Sequence, residues 1–217
     1  MTRLTTVQKN GLTNQNAYSQ RGTLGARIDA LEYGTVATPS AGSIAPLAGI
    51  SYAVTPAIGT ATKIHAAVTL TTAVQTITDG ITQPDFPRIL SVKGAPAGTL
   101  ATNVTINGTD IAGTVIADTI QLNNSSEVMG DVAFKTVTSI VFPIRTGEGD
   151  TVSVGFGNLL GFPVAVPNAS TVIAKTFNGA VDAGSVTVGA TPSTSYYTCA
   201  GAASFNGTKI LSFVLLV

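Results

Sequence analysis

The stretch NVTINGTDIAGTVIADTIQL, residues 103–122, decides the fold. Its first part alternates between polar and apolar side chains, which places Val104 and Ile106 on one side of an extended chain. Its second part places three large aliphatic side chains on one side: Ile116, Ile120 and Leu122. A period of two residues is typical of a β-strand with one buried face. The stretch therefore predicts two strands, and Asp110, which lies near a glycine, predicts a turn.

Similar strand patterns continue along the chain from residue 63 and are separated by turn signals. Asp79-Gly80 and the sequence GEGD at residues 147–150 are strong turn sequences. The predicted strands are residues 66–78, 88–93, 103–107, 114–122, 134–142, 151–156, 170–177, 184–189, 195–199 and 210–217. Turn signals spaced about 8 to 14 residues apart are typical of a sandwich or barrel. We predict an all-β fold with one or more β-sandwich or barrel-like domains, and no helix after Tyr33.

The first 62 residues differ in composition and predict an extended N-terminal arm. A short helix is expected at about residues 21–33, because three apolar residues follow helical spacing and Gly34 can end the helix. Residues 35–60 are rich in Ala, Gly, Pro, Ser and Thr, and proline disfavours both a helix and a central strand. After this arm we expect a β-sandwich-like domain at residues 63–163. Residues 164–217 then form C-terminal strands, either as a second lobe or as the completion of the same sandwich.

The arm is also a candidate for binding a partner. Four cationic residues precede the first acidic residue of the chain: Arg3, Lys9, Arg21 and Arg27. One interpretation is a frayed, solvated terminus. The other is a tether that crosses a neighbouring subunit and becomes ordered on an acidic surface. The predicted partner-binding residues are these four cations and the apolar stripe of the helix: Leu24, Ile28 and Leu31.

The composition favours a protein whose surface is covered by partners. Charged residues make up 10% of the chain and the net charge is zero, whereas an average globular chain has roughly 25% charged residues. A zero net charge argues against nucleic-acid binding, which needs a basic face. We expect no signal peptide, since residues 1–20 are polar, and no membrane segment. A single cysteine excludes an internal disulfide, so folding in a reducing cytoplasm is the simplest expectation.

Groups that could support catalysis or bind a metal are few. His65 is the only histidine and Cys199 the only cysteine, so histidine or cysteine metal clusters are excluded. The carboxylate pairs, Glu148 with Asp150 and Glu127 with Asp131, are expected to lie in turns, where aspartate commonly bonds the backbone. Calcium between loops and hydrolysis by two acids stay open as alternatives. We predict a protein that is not an enzyme and uses no cofactor; a hydrolase would have to rely on residues such as His65 and Asp150.

The C-terminal stretch ILSFVLLV, residues 210–217, is apolar on both sides. Such a strand is expected to be a central strand of a sheet or to be buried at a subunit interface. We favour the interface.

Four segments together resemble a β module that is common in virion proteins of tailed bacteriophages. They are residues 73–88 (AVQTITDGITQPDFPR), 103–122, 134–143 (FKTVTSIVFP) and 147–163 (GEGDTVSVGFGNLLGFP). The resemblance rests on the order of strand and turn segments and contributes no site residues. It implies a β-sandwich-like unit in a head or tail component.

Within that class, the sequence favours a capsid decoration or cement protein. A protein of this kind is expected on the capsid surface after assembly in the host cytoplasm. Its expected partners are the major capsid protein and further copies of the chain, as a homotrimer. Nucleic acid and membranes are not expected partners. The alternative is a head fibre or tail accessory protein that binds a host receptor or a glycan.

Overall fold

The computed structural model describes residues 49–216, and these residues are mostly β-strands. The strands are β1 (Gly49–Val54), β2 (Thr60–Thr69), β3 (Gln75–Ile77), β4 (Arg88–Ala95), β5 (Asn103–Thr109), β6 (Val115–Gln121), β7 (Glu127–Phe134), β8 (Thr136–Phe142), β9 (Thr151–Gly161), β10 (Val172–Phe177), β11 (Ala180–Val181), β12 (Ser185–Thr187), β13 (Tyr196–Thr198) and β14 (Leu211–Leu216). Helical structure in the described range is limited to three short 3-10 turns at Ala169–Thr171, Pro192–Thr194 and Ala202–Ser204. The prediction of a β-rich chain is therefore confirmed. Of the arm predicted at residues 1–62, residues 1–48 and the helix lie outside the described residues. The rest of the predicted arm contains β1 and the start of β2, so an extended arm is wrong for residues 49–62.

The strands form three sheets that curl as a half-barrel. The first sheet has the order β12-β13-β9-β4-β7, and β2 also pairs with β9. The second has the order β3-β8-β5-β6 and the third the order β1-β14-β10-β11. Every pairing with a resolved register is antiparallel, which suits short strands joined by tight turns. Residues 51–215 belong to one compact unit.

The main hydrophobic core draws on the first two sheets. From the first sheet it contains Leu90, Val92, Val152 and Phe156, all of them buried. From the second sheet it contains the inward side chains of β5, β6 and β8: Val104, Ile106, Ile120, Val137, Ile140 and Phe142. The apolar side chains of the alternating segment at residues 103–122 therefore face the core, as the sequence predicted. A separate aromatic group stacks Phe162, Tyr197 and Phe213 edge to face, with ring centroids 4.9 to 6.4 Å apart.

Three strands were missed, namely β1, β7 and the two-residue β11, and one predicted strand is in fact two strands. Strand β1 lies in a region assigned to the arm, at the edge of its sheet and between Pro46 and Pro56. Strand β7 includes Glu127 and Asp131, so the prediction that this pair lies in a turn is wrong. The single strand predicted at residues 66–78 is two strands, because the chain turns after Leu70, whose N–H donates to the carbonyl of Asp150.

The C-terminal strand β14 is a central strand. It lies between β1 and β10, and Leu211, Phe213 and Leu215 are buried while Ser212 and Val214 are half-buried. Of the two predicted explanations for its apolar character, the central position is the one that the structure shows. Strands β12 and β13 extend the sheet of β9, whereas β10, β11 and β14 belong to the third sheet.

Candidate functional site

The seven predicted partner-binding residues, Arg3, Lys9, Arg21, Leu24, Arg27, Ile28 and Leu31, all lie outside residues 49–216. Their role stays a prediction. Among the described residues, four charged side chains are buried: Arg88, Asp110, Asp150 and Asp182. Buried ionisable groups are candidates for chemistry, so the contacts of each decide what it can do.

Asp150 fixes the loop before β9. Its carboxylate accepts hydrogen bonds from the backbone N–H groups of Ala97 (2.9 Å), Thr146 (2.9 Å) and Gly147 (2.7 Å), and from the Thr146 hydroxyl (3.0 Å). The N–H groups of Ala97 and Gly147 contribute most to lowering the pKa of Asp150 to about 2, against the opposing effect of burial. Gly149 has a φ of +94°, which favours glycine at this position of the turn. The predicted turn at residues 147–150 is confirmed, and all the donors around Asp150 serve structure.

Asp182 plays a similar part beside β13. Burial opposes its ionisation, but the Tyr197 hydroxyl and the N–H groups of Ala200, Gly184 and Gly201 outweigh this effect, so the pKa of Asp182 is lowered. Burial and the bonded carboxylate together raise the pKa of Tyr197. Asp182 therefore links the segment after β11 to β13, through Tyr197, and to the residues that follow β13.

Asp110 confirms the turn predicted between β5 and β6. Its carboxylate accepts the N–H groups of Ala112 (2.8 Å) and Thr114 (2.9 Å), and Gly113 adopts a φ of +84°. This is the local bonding that makes aspartate common in turns.

Arg88 is a fully buried arginine that the sequence did not single out. Its guanidinium forms a bidentate pair with Asp85, with two N–O distances of 2.7 Å, and also donates to the carbonyls of Gly157 (3.0 Å) and Ala57 (2.7 Å). The guanidinium carbon lies 4.4 Å from the centre of the Phe156 ring, within the range of a cation–π contact. The spacing of three residues between Asp85 and Arg88 was the available signal, but such a spacing is common on exposed surfaces as well.

His65 and Cys199 lie far apart. His65 is opposite Val154 in the β2–β9 pairing, whereas Thr198, next to Cys199, is opposite Leu159. Five residues along a strand span roughly 16 Å. Burial raises the pKa of the Cys199 thiol to about 11, which disfavours the reactive thiolate at neutral pH. The structure therefore does not bring these two residues together as a nucleophile and base.

An open cleft of about 440 Å³ lies beside the Arg88–Asp85 pair. Its lining combines aromatic, charged and aliphatic side chains, including Tyr52, Asp85, Phe86, Lys135 and Ile210. Burial, with a contribution from Asp85, raises the pKa of Tyr52, so its hydroxyl stays protonated at neutral pH. The Asp85 carboxylate at this cleft is already paired with Arg88, whose guanidinium also lies over the Phe86 ring, 5.3 Å from its centre.

Within residues 49–216, no group of three or more His, Cys, Asp or Glu side chains is arranged to hold a metal ion. In the same range no helix has the length and apolar character needed to span a membrane. Comparison of the chain with protein-family models, with curated proteins and with solved structures finds no match.

Proposed function

We propose that the chain is a non-enzymatic structural protein of a tailed-bacteriophage virion, and that it acts as a capsid decoration or cement protein. The observation that carries the proposal is the use of its buried charged groups. Arg88, Asp110, Asp150 and Asp182 are each engaged by loop backbone or by a structural partner. When buried charged side chains hold the loops in place, the surface of the protein keeps a fixed shape. A fixed surface suits a structural protein.

The sequence resemblance supports the same proposal. The four segments that resemble the virion module contribute β3, the start of β4, β5, β6, β8 and β9. These strands provide most of the shared core between the first two sheets, as expected of a β-sandwich-like unit. Cement proteins stabilise a shell by adding contact area across subunit seams, and many symmetric copies act together. In this role the partners are the major capsid protein and other copies of the chain.

The test is to localise the chain on particles. Antibodies raised against residues 49–216 are applied to virions from the phage or prophage that encodes the chain, and labelled particles are imaged by electron microscopy. We expect label distributed over the head shell. Label confined to the tail would reject the cement role, and particles without label would reject a virion role altogether.

The alternative function, a head fibre or tail accessory protein that binds a receptor or glycan, is favoured by one observation. The cleft beside Asp85 is lined by the aromatic residue Phe86 and by Tyr52 and Lys135, whose side chains can form hydrogen bonds. Aromatic faces with a few polar groups suit small polar ligands. Binding of the chain to a glycan array, lost on Phe86→Ala substitution, would favour this alternative over the cement role.

A further inference from the structure

The outward face of the β3-β8-β5-β6 sheet carries no charged side chain. Strand pairing aligns Thr105 with Thr119 and with Val141, and Asn107 with Ala117 and Ser139. The outward residues of this sheet, here named the neutral face, are Thr76, Asn103, Thr105, Asn107, Thr109, Val115, Ala117, Thr119, Gln121, Thr136, Thr138, Ser139 and Val141. All of them are exposed or half-buried, and Val115 is 82% exposed.

Polar side chains on the neutral face bond to each other across the strands. The hydroxyls of Thr105 and Thr119 lie 3.2 Å apart, and those of Thr109 and Thr136 lie 2.6 Å apart. The Asn107 amide donates to the Ser139 hydroxyl at 3.1 Å. Side chains that already have partners lose little when water is removed, and their orientations are already fixed. Covering this face therefore costs less desolvation energy than covering a charged surface.

We propose that the neutral face is an interface that packs against a second copy of this chain. A partner surface with charges would have to bury them here without a counter-charge, which is strongly unfavourable. The chain itself supplies uncharged strand surfaces: the neutral face, and the side of β10 and β14 that carries Ala174, Thr176 and Val214. Pairing of like faces gives a two-fold dimer, and pairing of the two different faces can close into a ring.

The size of the face is compatible with a weak, concentration-dependent contact. Three strands of seven residues and one short strand, spaced about 4.8 Å apart, cover roughly 400 Å² in projection. Because accessible area exceeds projected area, two copies would bury on the order of 1,000 Å², near the lower limit for specific interfaces. Association of the purified chain is therefore expected at high concentration.

The experiment measures the mass of the full chain by native mass spectrometry and by sedimentation velocity over a range of concentrations. Ala117→Lys places a charge in the middle of the neutral face, and Gln121→Glu adds a charge at its edge with almost no change in shape. Ala67→Lys is the matched control, since Ala67 is an exposed strand alanine on β2. Circular dichroism melts check that each variant is folded.

We expect an oligomer for the wild type and for Ala67→Lys, and at least a tenfold weaker association for Ala117→Lys and Gln121→Glu. A wild type that stays monomeric at all concentrations overturns the inference, and so does an oligomer whose mass both face variants leave unchanged. Loss of particle binding by Ala117→Lys without loss of oligomer mass would assign the face to the capsid and also overturn it.

This inference rests on the proposed function only in that both require assembly. The two proposals can be rejected independently. Antibody labelling tests where the chain lies on the virion, whereas the mass of the purified chain tests whether the neutral face binds a second copy.

Discussion

Three buried ionisable residues, Arg88, Asp150 and Asp182, join segments that are distant in the sequence. Arg88 contacts the backbone of residues 57 and 157, Asp150 that of residues 97 and 146–147, and Asp182 that of residues 200–201. A buried charge without partners costs several kcal/mol or more. Each of these groups is therefore stable only while its partner segments stay in place, which makes these residues sensitive points for mutation.

Substitution of Arg88 by Met tests the largest of these contacts. Arg88→Met leaves Asp85 without its counter-ion and the carbonyls of Ala57 and Gly157 without their donor, so we expect a loss of about 3–5 kcal/mol in the free energy of unfolding. Urea denaturation followed by circular dichroism measures this loss. The control is Arg145→Met, because Arg145 lies 3.8 Å from a Glu148 side chain that is 88% exposed; we expect a change within about 1 kcal/mol. Equal effects of the two variants would contradict the structural role of Arg88.

The pH dependence of stability tests Asp150. Its pKa of about 2 in the folded chain lies below the value of about 3.9 for an unfolded aspartate. The ionised carboxylate therefore stabilises the fold above about pH 4, and this contribution is lost as the pH falls towards 2. Asp150→Asn removes the charge, so we expect the variant to be less stable than wild type at pH 7 and the difference to shrink towards pH 2.

Thermal melts from pH 7 to pH 2 provide the measurement. The control, Asp79→Asn, lies in the exposed turn after β3 and should follow the wild-type curve. A gap between wild type and Asp150→Asn that stays constant over the whole range would show that Asp150 acts through shape alone.

At the scale of elements, the sequence predicted strands where turn signals bound an alternating segment. The predictions at residues 88–93, 103–107, 114–122 and 134–142 each overlap a strand closely. Strand β7 was missed because Gly130 and two acidic residues interrupt the alternation of polar and apolar residues that is typical of a strand. A Cβ atom at Gly130 would lie 2.0 Å from the Asp118 carboxylate, so a side chain there would require that carboxylate to move. That reason is a tertiary contact, and local patterns carry no information on it.

The candidate site was harder to predict than the strands. Asp110 and Asp150 were recognised as turn residues because each has a glycine within three residues in the sequence. Arg88 and Asp182 were not recognised, since most of their partners lie 15 or more residues away along the chain. The predicted binding residues of the arm stay a prediction.

The pairing of β5 with β8 depends on a glycine. A Cβ atom on Gly108 would lie 1.9 Å from the carbonyl oxygen of Thr136, which is backbone and cannot move without disturbing the sheet. We expect Gly108→Ala to lower the free energy of unfolding by about 1–3 kcal/mol. Gly98→Ala is the control, because a Cβ there meets no atom within 4 Å. Denaturant unfolding compares the two variants, and equal stabilities would show that the two strands can separate slightly at little cost.

At the scale of the whole molecule, charge is sparse and unevenly placed. Charged side chains occur on the other two sheets, for example Lys93 on β4 and Lys175 on β10, whereas the neutral face has none. The four cations at the start of the chain precede every acidic residue. This uneven distribution of charge suits a protein that makes two kinds of contact. Uncharged strand faces would bind copies of the chain, and the cationic segment would bind an acidic partner.

Removal of residues 1–34 tests this division. Residues 51–215 form a compact unit with its own hydrophobic core, so we expect the truncated chain to stay folded. Because the truncation removes all seven predicted partner-binding residues, we expect binding to capsids that lack the protein to fall at least tenfold in a sedimentation assay.

A second variant separates charge from apolar contact, since the four cations can be replaced by Gln while Leu24, Ile28 and Leu31 are kept. If attraction to an acidic surface dominates, this variant should bind capsids as weakly as the truncated chain. Binding of the wild type should then also weaken as the salt concentration rises from 50 to about 500 mM, because salt screens exposed charges. Binding that is unaffected by the four substitutions and by salt would leave the apolar stripe as the contact. A truncated chain that still saturates capsids would place the binding surface within residues 35–217 and would contradict the tether.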